Sequence, residues 1–254
     1  MSKALIHRPQ RPLLLSYAGF IFFCLYFPLF ALSIASFQGG PTLLHWYERA
    51  FTDPQLLLAL RNSVIIGIGT TLFSTVLGTM AALGMRKPAF RGRVFFESLL
   101  NLPLVLPEIV MGLAMLVWFV FLNITLGLFS VVLAHTTFTI SYFILILLAR
   151  LKGMDPLLEE ASADLGATPW KTFWKVTFPL LLPAIISGAL LAFTLSFDDF
   201  LITFFTAGVG SDTLPVRIYS MMRFGITPEV NAISSAVLFL TLGAVLAIFK
   251  LRKN

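Results

Sequence analysis

Long apolar blocks dominate this sequence and restrict what it can fold into. Six blocks of about 20 residues or more cover 13–37, 62–85, 99–122, 126–149, 179–206 and 230–249. A helix of that length, rising about 1.5 Å per residue, crosses the roughly 30 Å hydrocarbon core of a bilayer. Charged residues make up 12% of the chain, against about 25% in soluble domains. The sequence therefore predicts an all-α membrane protein, residues 1–254 forming one domain with six transmembrane helices.

The basic residues predict the orientation of these helices. The net charge is +6, and 14 of the 18 Lys and Arg residues fall on one side of the predicted membrane. Short cytoplasmic loops are enriched in Lys and Arg. Both termini and the loop Arg150–Phe178 are therefore predicted to be cytoplasmic, with Gln38–Arg61, Asn123–Thr125 and Ala207–Glu229 outside. This distribution among short loops argues against nucleic acid as a partner.

Capping signals give the cytoplasmic loop 150–178 a definite shape. Asp155 suits a helix N-cap, Pro156 suits the first helical position and Gly166 suits the left-handed position after the helix end. Thr168, followed by a proline, repeats the start signal. A second short helix is predicted from Trp170 to about 178, ending before the next proline. Two short helices around a tight corner form a cytoplasmic elbow.

The residue types in this elbow suit contact with another surface. Small residues near the corner alternate with the large apolar residues Leu157, Trp170, Phe173 and Trp174. Apolar anchors with charge at the rim are typical of a knob that sits in a partner's groove. An amphipathic elbow lying on lipid fits the periodicity equally well.

Three carboxylates fall inside predicted spans, at Glu108, Asp198 and Asp199. Each costs roughly 2.5–3.5 kcal/mol at a helix centre, which implies a pore, a partner or a protonated state. Neighbouring helical residues point about 100° apart. One of the two aspartates is therefore expected to line a path, while the other pairs with Arg217 or Arg223 or caps a broken helix; the alternative, for this pair and for Glu108, is a purely structural role.

Carboxylates and aromatic faces together favour a cationic cargo. Phe197 and Trp118 are candidate path residues, although most Phe residues on a span only pack. Pro107 precedes the acidic residue at 108 and predicts a kinked helix that lines a cavity. His135 is interpreted as a hydrogen-bonded structural residue, with a proton relay as the alternative. Cys24 is the only cysteine, and no metal-ligand spacing occurs.

The elbow also carries a long motif. The run Glu159-Glu160-Ala161-Ser162-Ala163-Asp164-Leu165-Gly166-Ala167-Thr168, followed by Phe173, Val176, Pro179 and Pro183-Ala184, resembles the EAA loop of ABC importer permeases. In that family the loop is the coupling helix that docks on the ATPase subunit. The resemblance implies ATPase-coupling roles for Glu159, Glu160, Ala161, Asp164, Leu165, Gly166 and Ala167. Ser162 departs from the usual second alanine, a small-for-small change.

Further segments resemble the spermidine/putrescine branch of these permeases, above all its second permease subunit. They are Arg61-Asn62-Ser63, Pro107-Glu108-Ile109-Val110 and Phe193-Thr194-Leu195-Ser196-Phe197-Asp198-Asp199. The resemblance implies a six-helix type I fold in the inner membrane and polyamine cargo, for which Glu108, Asp198, Asp199, Phe197 and Trp118 are the candidate pathway residues given by their chemistry. It also implies an ABC ATPase dimer, a second permease in a heterodimer, an extracytoplasmic polyamine-binding protein and contact with membrane lipid.

No phosphate-binding loop accompanies the permease features. Lys171-Thr172 comes nearest to the Gly-x-x-x-x-Gly-Lys-Ser/Thr pattern, but Trp170 stands where its second glycine must be, and no strand precedes it. The chain is thus expected to have no catalytic residue and no cofactor, with ATP and Mg bound by the partner ATPase. The alternatives are a cation channel or ion-coupled carrier that works without ATP, and a non-transporting assembly or sensor subunit.

Overall fold

Helices account for the regular structure of this protein. The computed structural model describes residues 10–86, 92–223, 225 and 227–239, in which no strand occurs. The helices are α1 (Gln10–Ala35), α2 (His45–Thr52), α3 (Pro54–Arg86), α4 (Arg93–Val105), α5 (Glu108–Phe121), α6 (Leu128–Lys152), α7 (Leu157–Asp164), α8 (Pro169–Thr172), α9 (Phe178–Phe197), α10 (Leu201–Thr206) and α11 (Leu214–Arg223). A π-helical turn, Phe173–Thr177, joins α8 to α9, and residues 228–239 are also helical. The prediction of an all-α protein is confirmed.

Several described helices are long and apolar enough to cross a membrane. They are Leu14–Ala35 within α1, Pro54–Arg86, Leu128–Lys152 and the continuous stretch Pro169–Phe197, and the bent pair α4 and α5 makes up to one more. Five of the predicted spans thus correspond to observed helices or to a bent pair. The last predicted span, 230–249, is described only to residue 239, and its remainder lies outside the described residues.

The predicted single span 99–122 is broken in two. Helices α4 and α5 meet at an angle of 112°, because Leu106 adopts an extended conformation with φ −70° and ψ 137°. The ring of Pro107 disfavours a helical conformation for the residue before it. The kink expected at Pro107 is therefore a complete break, and Glu108 becomes the first residue of a new helix.

The predicted span 179–206 differs at both of its ends. Helix α9 stops at Phe197 and a separate short helix, α10, follows. At the other end, the prediction that the elbow helix stops before Pro179 is wrong, since helical structure runs on from α8 into α9. The Phe178 N–H donates to the Phe173 carbonyl, five residues back. This wider turn accommodates the proline ring, which would clash with a regular helix.

Both long outer loops contain helices that were expected as loop. The segment Gln38–Arg61 includes α2 and the first turns of α3, and Ala207–Glu229 includes α11. Helix α3 begins eight residues earlier than predicted, where Asp53 Oδ1 accepts a hydrogen bond from the Gln55 N–H at 2.8 Å. The signal was readable, because Asp53 precedes a proline just as Asp155 does in the elbow.

The described chain forms two compact units. One comprises the described parts of Met1–Leu56 and Ile218–Asn254, where an ion pair between Arg49 and Glu229 joins α2 to the helix 228–239. The other unit, Leu57–Arg217, contains α4 to α10 and most of α3. The candidate functional residues all lie in this second unit.

One aromatic ring organises the core of the second unit. A Cβ placed on Gly78 of α3 would lie 2.5 Å from Phe143 Cδ1, and one on Gly188 of α9 would lie 2.7 Å from its Cδ2. Phe143 is completely buried on α6, so its ring fills the space that the two glycines leave. A Cβ on Gly67 of α3 would likewise lie 2.8 Å from the ring of Phe193, so small residues of α3 permit close approach of neighbouring helices.

Candidate functional site

The cytoplasmic elbow has the caps that its sequence predicts. The Asp155 carboxylate accepts a hydrogen bond from the Leu157 N–H at 3.0 Å where α7 begins. Gly166 has φ +77°, its own N–H donates to the Ala163 carbonyl, and the Ala167 N–H donates to the Ser162 carbonyl. These two bonds form a Schellman motif, which needs the left-handed conformation that glycine adopts freely. Thr168 caps α8 through a bond from the Lys171 N–H.

Glu159 lies on the inner side of α7. Its Oε1 accepts a hydrogen bond from Arg86 Nη1 at 2.6 Å and another from Thr177 Oγ1 at 2.7 Å. Partial burial of Glu159 opposes its ionisation, but the bonds from Thr177 and Arg86 and the charge of Arg86 outweigh this and hold its pKa below the usual value. Glu159 is therefore an ionised carboxylate that joins α7 to the end of α3 and to the start of α9.

The outer side of the elbow is exposed and largely apolar. Leu165 at the corner is 89% exposed and Trp170 is 70% exposed, with Leu157 and Trp174 also open to the surroundings. The predicted coupling residues Glu160, Ala161, Asp164 and Gly166 are exposed as well, and Ala167 is half-buried. Most residues of the motif are thus individually accessible.

Ser162, the departure from the usual alanine, has a definite contact. Its hydroxyl lies 2.9 Å from the hydroxyl of Thr172, so it links α7 to α8. An alanine could not make this bond. The two arms of the elbow are therefore held together by Ser162 near the corner and by Glu159 further along.

Two helix breaks bring acidic residues together within the second unit. Glu108 begins α5, and Asp198 follows the last residue of α9; both side chains are exposed. Helix α5 packs on α10, since a Cβ on Gly112 would lie 3.3 Å from the Leu201 carbonyl oxygen. Glu108 lies one turn before Gly112, and Asp198 lies three residues before Leu201, so both carboxylates are near this contact. The arrangement places two accessible carboxylates beside non-helical backbone.

Asp199 has a different environment from its neighbour. It is buried, and its Oδ2 lies 3.1 Å from His135 Nε2 and accepts bonds from the Thr203 N–H at 2.8 Å and hydroxyl at 3.0 Å. The other ring nitrogen of His135 lies 2.7 Å from Ser196 Oγ. Asp199 thus caps the broken helix at α10, one of the outcomes expected for this pair. His135 is the hydrogen-bonded structural residue that was expected.

The candidate aromatic residues occupy separate places. Phe197 stacks on Phe193 with ring centroids 5.7 Å apart, directly before the acidic residue at 198. Trp118 stacks instead on Phe121 and lies about 15 Å along α5 from Glu108. Among the described residues, no group of three or more His, Cys, Asp or Glu side chains is placed to hold a metal ion.

The hydrogen-bond partners of Glu159 in the elbow and of Asp199 at the helix break were not predicted. Arg86 was only one of several loop charges, and Thr177 and Thr203 carried no separate signal. Their partners lie 73, 18 and 4 residues away. The last pair is local, and its signal lay in the aspartate just before a helix start rather than in the threonine.

Similarities to known proteins extend over most of the chain. Residues 74–251 match the family described as binding-protein-dependent transport system inner membrane component. The spermidine/putrescine transport system permease protein PotC of Haemophilus influenzae is 38% identical over 211 residues, covering 83% of this chain and 82% of that protein. PotC of Escherichia coli K12 is 35% identical over 236 residues, or 89% of each chain. The putrescine permease PotI of that strain is 38% identical, covering 87% and 83%.

Solved structures share the fold at low sequence identity. One is a bacterial ABC transporter involved in the import of the acidic polysaccharide alginate, with 17% identity and a TM-score of 0.70 over 99% of both chains. Another is an amino acid ABC transporter with histidines, with 17% identity and a TM-score of 0.60 over 82% of this chain and 98% of the other.

Proposed function

The chain belongs to the family of binding-protein-dependent transport system inner membrane components, and on this premise we propose that it is the permease of a polyamine importer. As an ABC importer permease, it is a multi-pass transport component. Its similarities favour this function over a cation channel or an ion-coupled carrier. The names of its relatives support spermidine and putrescine as cargo.

The observation that carries the cargo assignment is the pair of exposed carboxylates at the two helix breaks. Glu108 and Asp198 both lie near the contact of α5 with α10, so their negative charges repel one another. Such repulsion is relieved when a cation binds between or beside the two groups. The stacked rings of Phe193 and Phe197 offer apolar and π surface for the methylene chain and ammonium groups of a polyamine. Trp118 would meet the cargo at a different depth.

The exposed surface of the elbow is the proposed docking site for an ABC ATPase. Glu160, Ala161, Asp164, Leu165, Gly166 and Ala167 would contact that partner, with both termini of this chain on the same cytoplasmic side. ATP and Mg would bind in the ATPase dimer. A second, related permease would supply the other half of the pathway, and an extracytoplasmic binding protein would deliver the polyamine.

Movement of the elbow links ATP use to transport in this proposal. Helical structure is continuous from α8 through the π turn into α9, which ends beside Asp198. A push on the elbow by the closing ATPase would therefore travel along one helix to the acidic helix break. This rigid-body motion would switch access to the carboxylates between the two sides of the membrane.

Uptake by the complete transporter tests the cargo. Radiolabelled spermidine and putrescine would be offered to vesicles with and without ATP, using Asp198→Asn, Glu108→Gln and the control Asp212→Asn, an exposed acid away from the helix breaks. We expect KM to rise about tenfold or more for each of the first two variants, since a charge-assisted bond contributes about 1.5–3 kcal/mol. Unchanged uptake in the double variant Asp198→Asn/Glu108→Gln would refute the assignment.

Co-purification with the ATPase tests the docking site. Gly166→Asn keeps access to the left-handed conformation, whereas Gly166→Val does not. We expect Gly166→Val to lose the ATPase and Gly166→Asn to retain it. Equal retention by both variants, together with full uptake, would instead favour an elbow that lies on lipid.

A further inference from the structure

Two adjacent glutamates of the elbow have opposite environments. Glu160 is exposed on the surface that also carries Leu165. Glu159 is turned inward, and a single oxygen atom, Oε1, accepts hydrogen bonds from both Arg86 and Thr177. The resemblance to the EAA loop assigns both glutamates to the ATPase contact, but the geometry separates them.

The partners of Glu159 lie on different structural elements. Arg86 is the last residue of α3, and Thr177 is the buried last residue of the π turn that leads into α9. The other bond between the arms of the elbow, from Ser162 to Thr172, stays within the elbow itself. Arg86 thus extends the attachment of α7 from the elbow to a second membrane helix.

We propose that Glu159 is a positioning residue that fastens α7 to α3 and α9, so that displacement of the elbow moves both membrane helices together. Glu159 acts through Arg86 and Thr177 and does not itself bind the ATPase. Without this attachment, force on α7 reaches α9 through the elbow corner and the Ser162–Thr172 bond, and the link from α7 to α3 through Arg86 is lost. The role of this attachment in transport rests on the proposed importer function. The attachment of α7 to α3 and α9 does not depend on that function.

The ionised state of Glu159 supports this role. Two donors converge on one carboxylate oxygen, and charge-assisted bonds are shorter and stronger than neutral ones. The Arg86 and Glu159 side chains are 28% and 31% exposed. Such a pair contributes modestly to global stability, while it still defines the position of a short helix that has no buried residue of its own.

Hydrogen–deuterium exchange on the purified full chain tests the attachment without any transport partner. We expect the α7 amides to exchange about three- to tenfold faster in Glu159→Gln and in Arg86→Gln than in the unaltered chain. The matched control Glu160→Gln, one residue away on the exposed surface, leaves them unchanged. The double variant Arg86→Glu/Glu159→Arg restores slow exchange. Unchanged exchange in Glu159→Gln, or an equal effect of Glu160→Gln, would overturn the attachment.

Transport by the assembled complex tests the consequence. In Glu159→Gln we expect the ATPase to remain bound and the KM for spermidine to stay the same, while polyamine moved per ATP hydrolysed falls severalfold. The charge-swapped double variant recovers this ratio. If the α7 amides exchange faster in Glu159→Gln but the polyamine moved per ATP hydrolysed is unchanged, the coupling role is overturned. Absence of polyamine uptake in the unaltered complex would refute the proposed function and leave the exchange result standing.

Discussion

Two pairs of adjacent acidic residues, one in the elbow and one at the break after α9, are organised alike. In each pair one carboxylate turns inward to bonded partners, and the other stays exposed: Glu159 and Asp199 are inside, Glu160 and Asp198 outside. In both places the inner residue secures a local structure on which the outer residue stays accessible.

The two inner carboxylates differ in burial and in the hydrogen-bond partners that surround them. Asp199 is buried among His135 and both donors of Thr203, because a charge away from water needs every partner it can find. Glu159 is partly exposed and has two partners on one oxygen. The difference implies that Asp199 contributes mainly to stability, whereas Glu159 contributes mainly to the position of α7.

The largest expected effect comes from removing Asp199. Asp199→Ala leaves His135 and Thr203 buried without their acceptor, and we expect a loss of about 3–5 kcal/mol in the free energy of unfolding. Asp199→Asn keeps an acceptor oxygen, so its cost is about 1–3 kcal/mol. Denaturant unfolding of the chain in detergent micelles measures both values.

Asp198→Asn is the control for that experiment, because the Asp198 side chain is exposed. We expect its unfolding free energy to change by less than about 0.5 kcal/mol. An equal loss of stability from substitution at Asp198 and at Asp199 would break the division between inner and outer carboxylates.

A smaller effect is expected from the titration of Glu159. Its pKa is held below the usual value of 4.5, so its contribution is fully present above that value and is lost as the pH falls through the lowered pKa. Exchange of the α7 amides, corrected for the intrinsic pH dependence, should stay constant from pH 8 to about pH 5 and rise only in stronger acid. Glu159→Gln should lack this transition, and a transition near neutral pH would contradict the prediction.

The smallest effect is expected at Ser162. Ser162→Ala removes the bond to Thr172, about 0.5–1 kcal/mol, but alanine has a helix propensity better by about half a kcal/mol. The two contributions nearly cancel, so the unfolding free energy should change by only about 0.5 kcal/mol or less. A loss well above 1 kcal/mol would mean that this contact, rather than Glu159, chiefly holds the elbow together.

Local signals explain which features the sequence could predict. Asp155, Gly166 and Thr168 determine the elbow through bonds within a few residues, and the structure confirms all three. Pro107 predicted a kink before Glu108, but the apolar pattern alone could not distinguish a complete break there, or the interruption after Phe197, from continuous spans.

Distant pairs were beyond prediction for a related reason. Arg86 and Glu159 are 73 residues apart, and His135 and Asp199 are 64 apart. Nothing in the local sequence states that these residues meet. The roles of the exposed carboxylates and of the elbow surface stay predictions until uptake and docking are measured.

The ring of Phe143 between Gly78 and Gly188 constrains how this sequence can diverge. A methyl group added at either glycine would meet the ring at less than 3 Å, so neither position can enlarge unless Phe143 shrinks first. That first step leaves a void that costs about 3–5 kcal/mol for a change to alanine. Substitutions at the three positions are therefore coupled. In evolution, a larger residue at either glycine has to follow a destabilising change at Phe143.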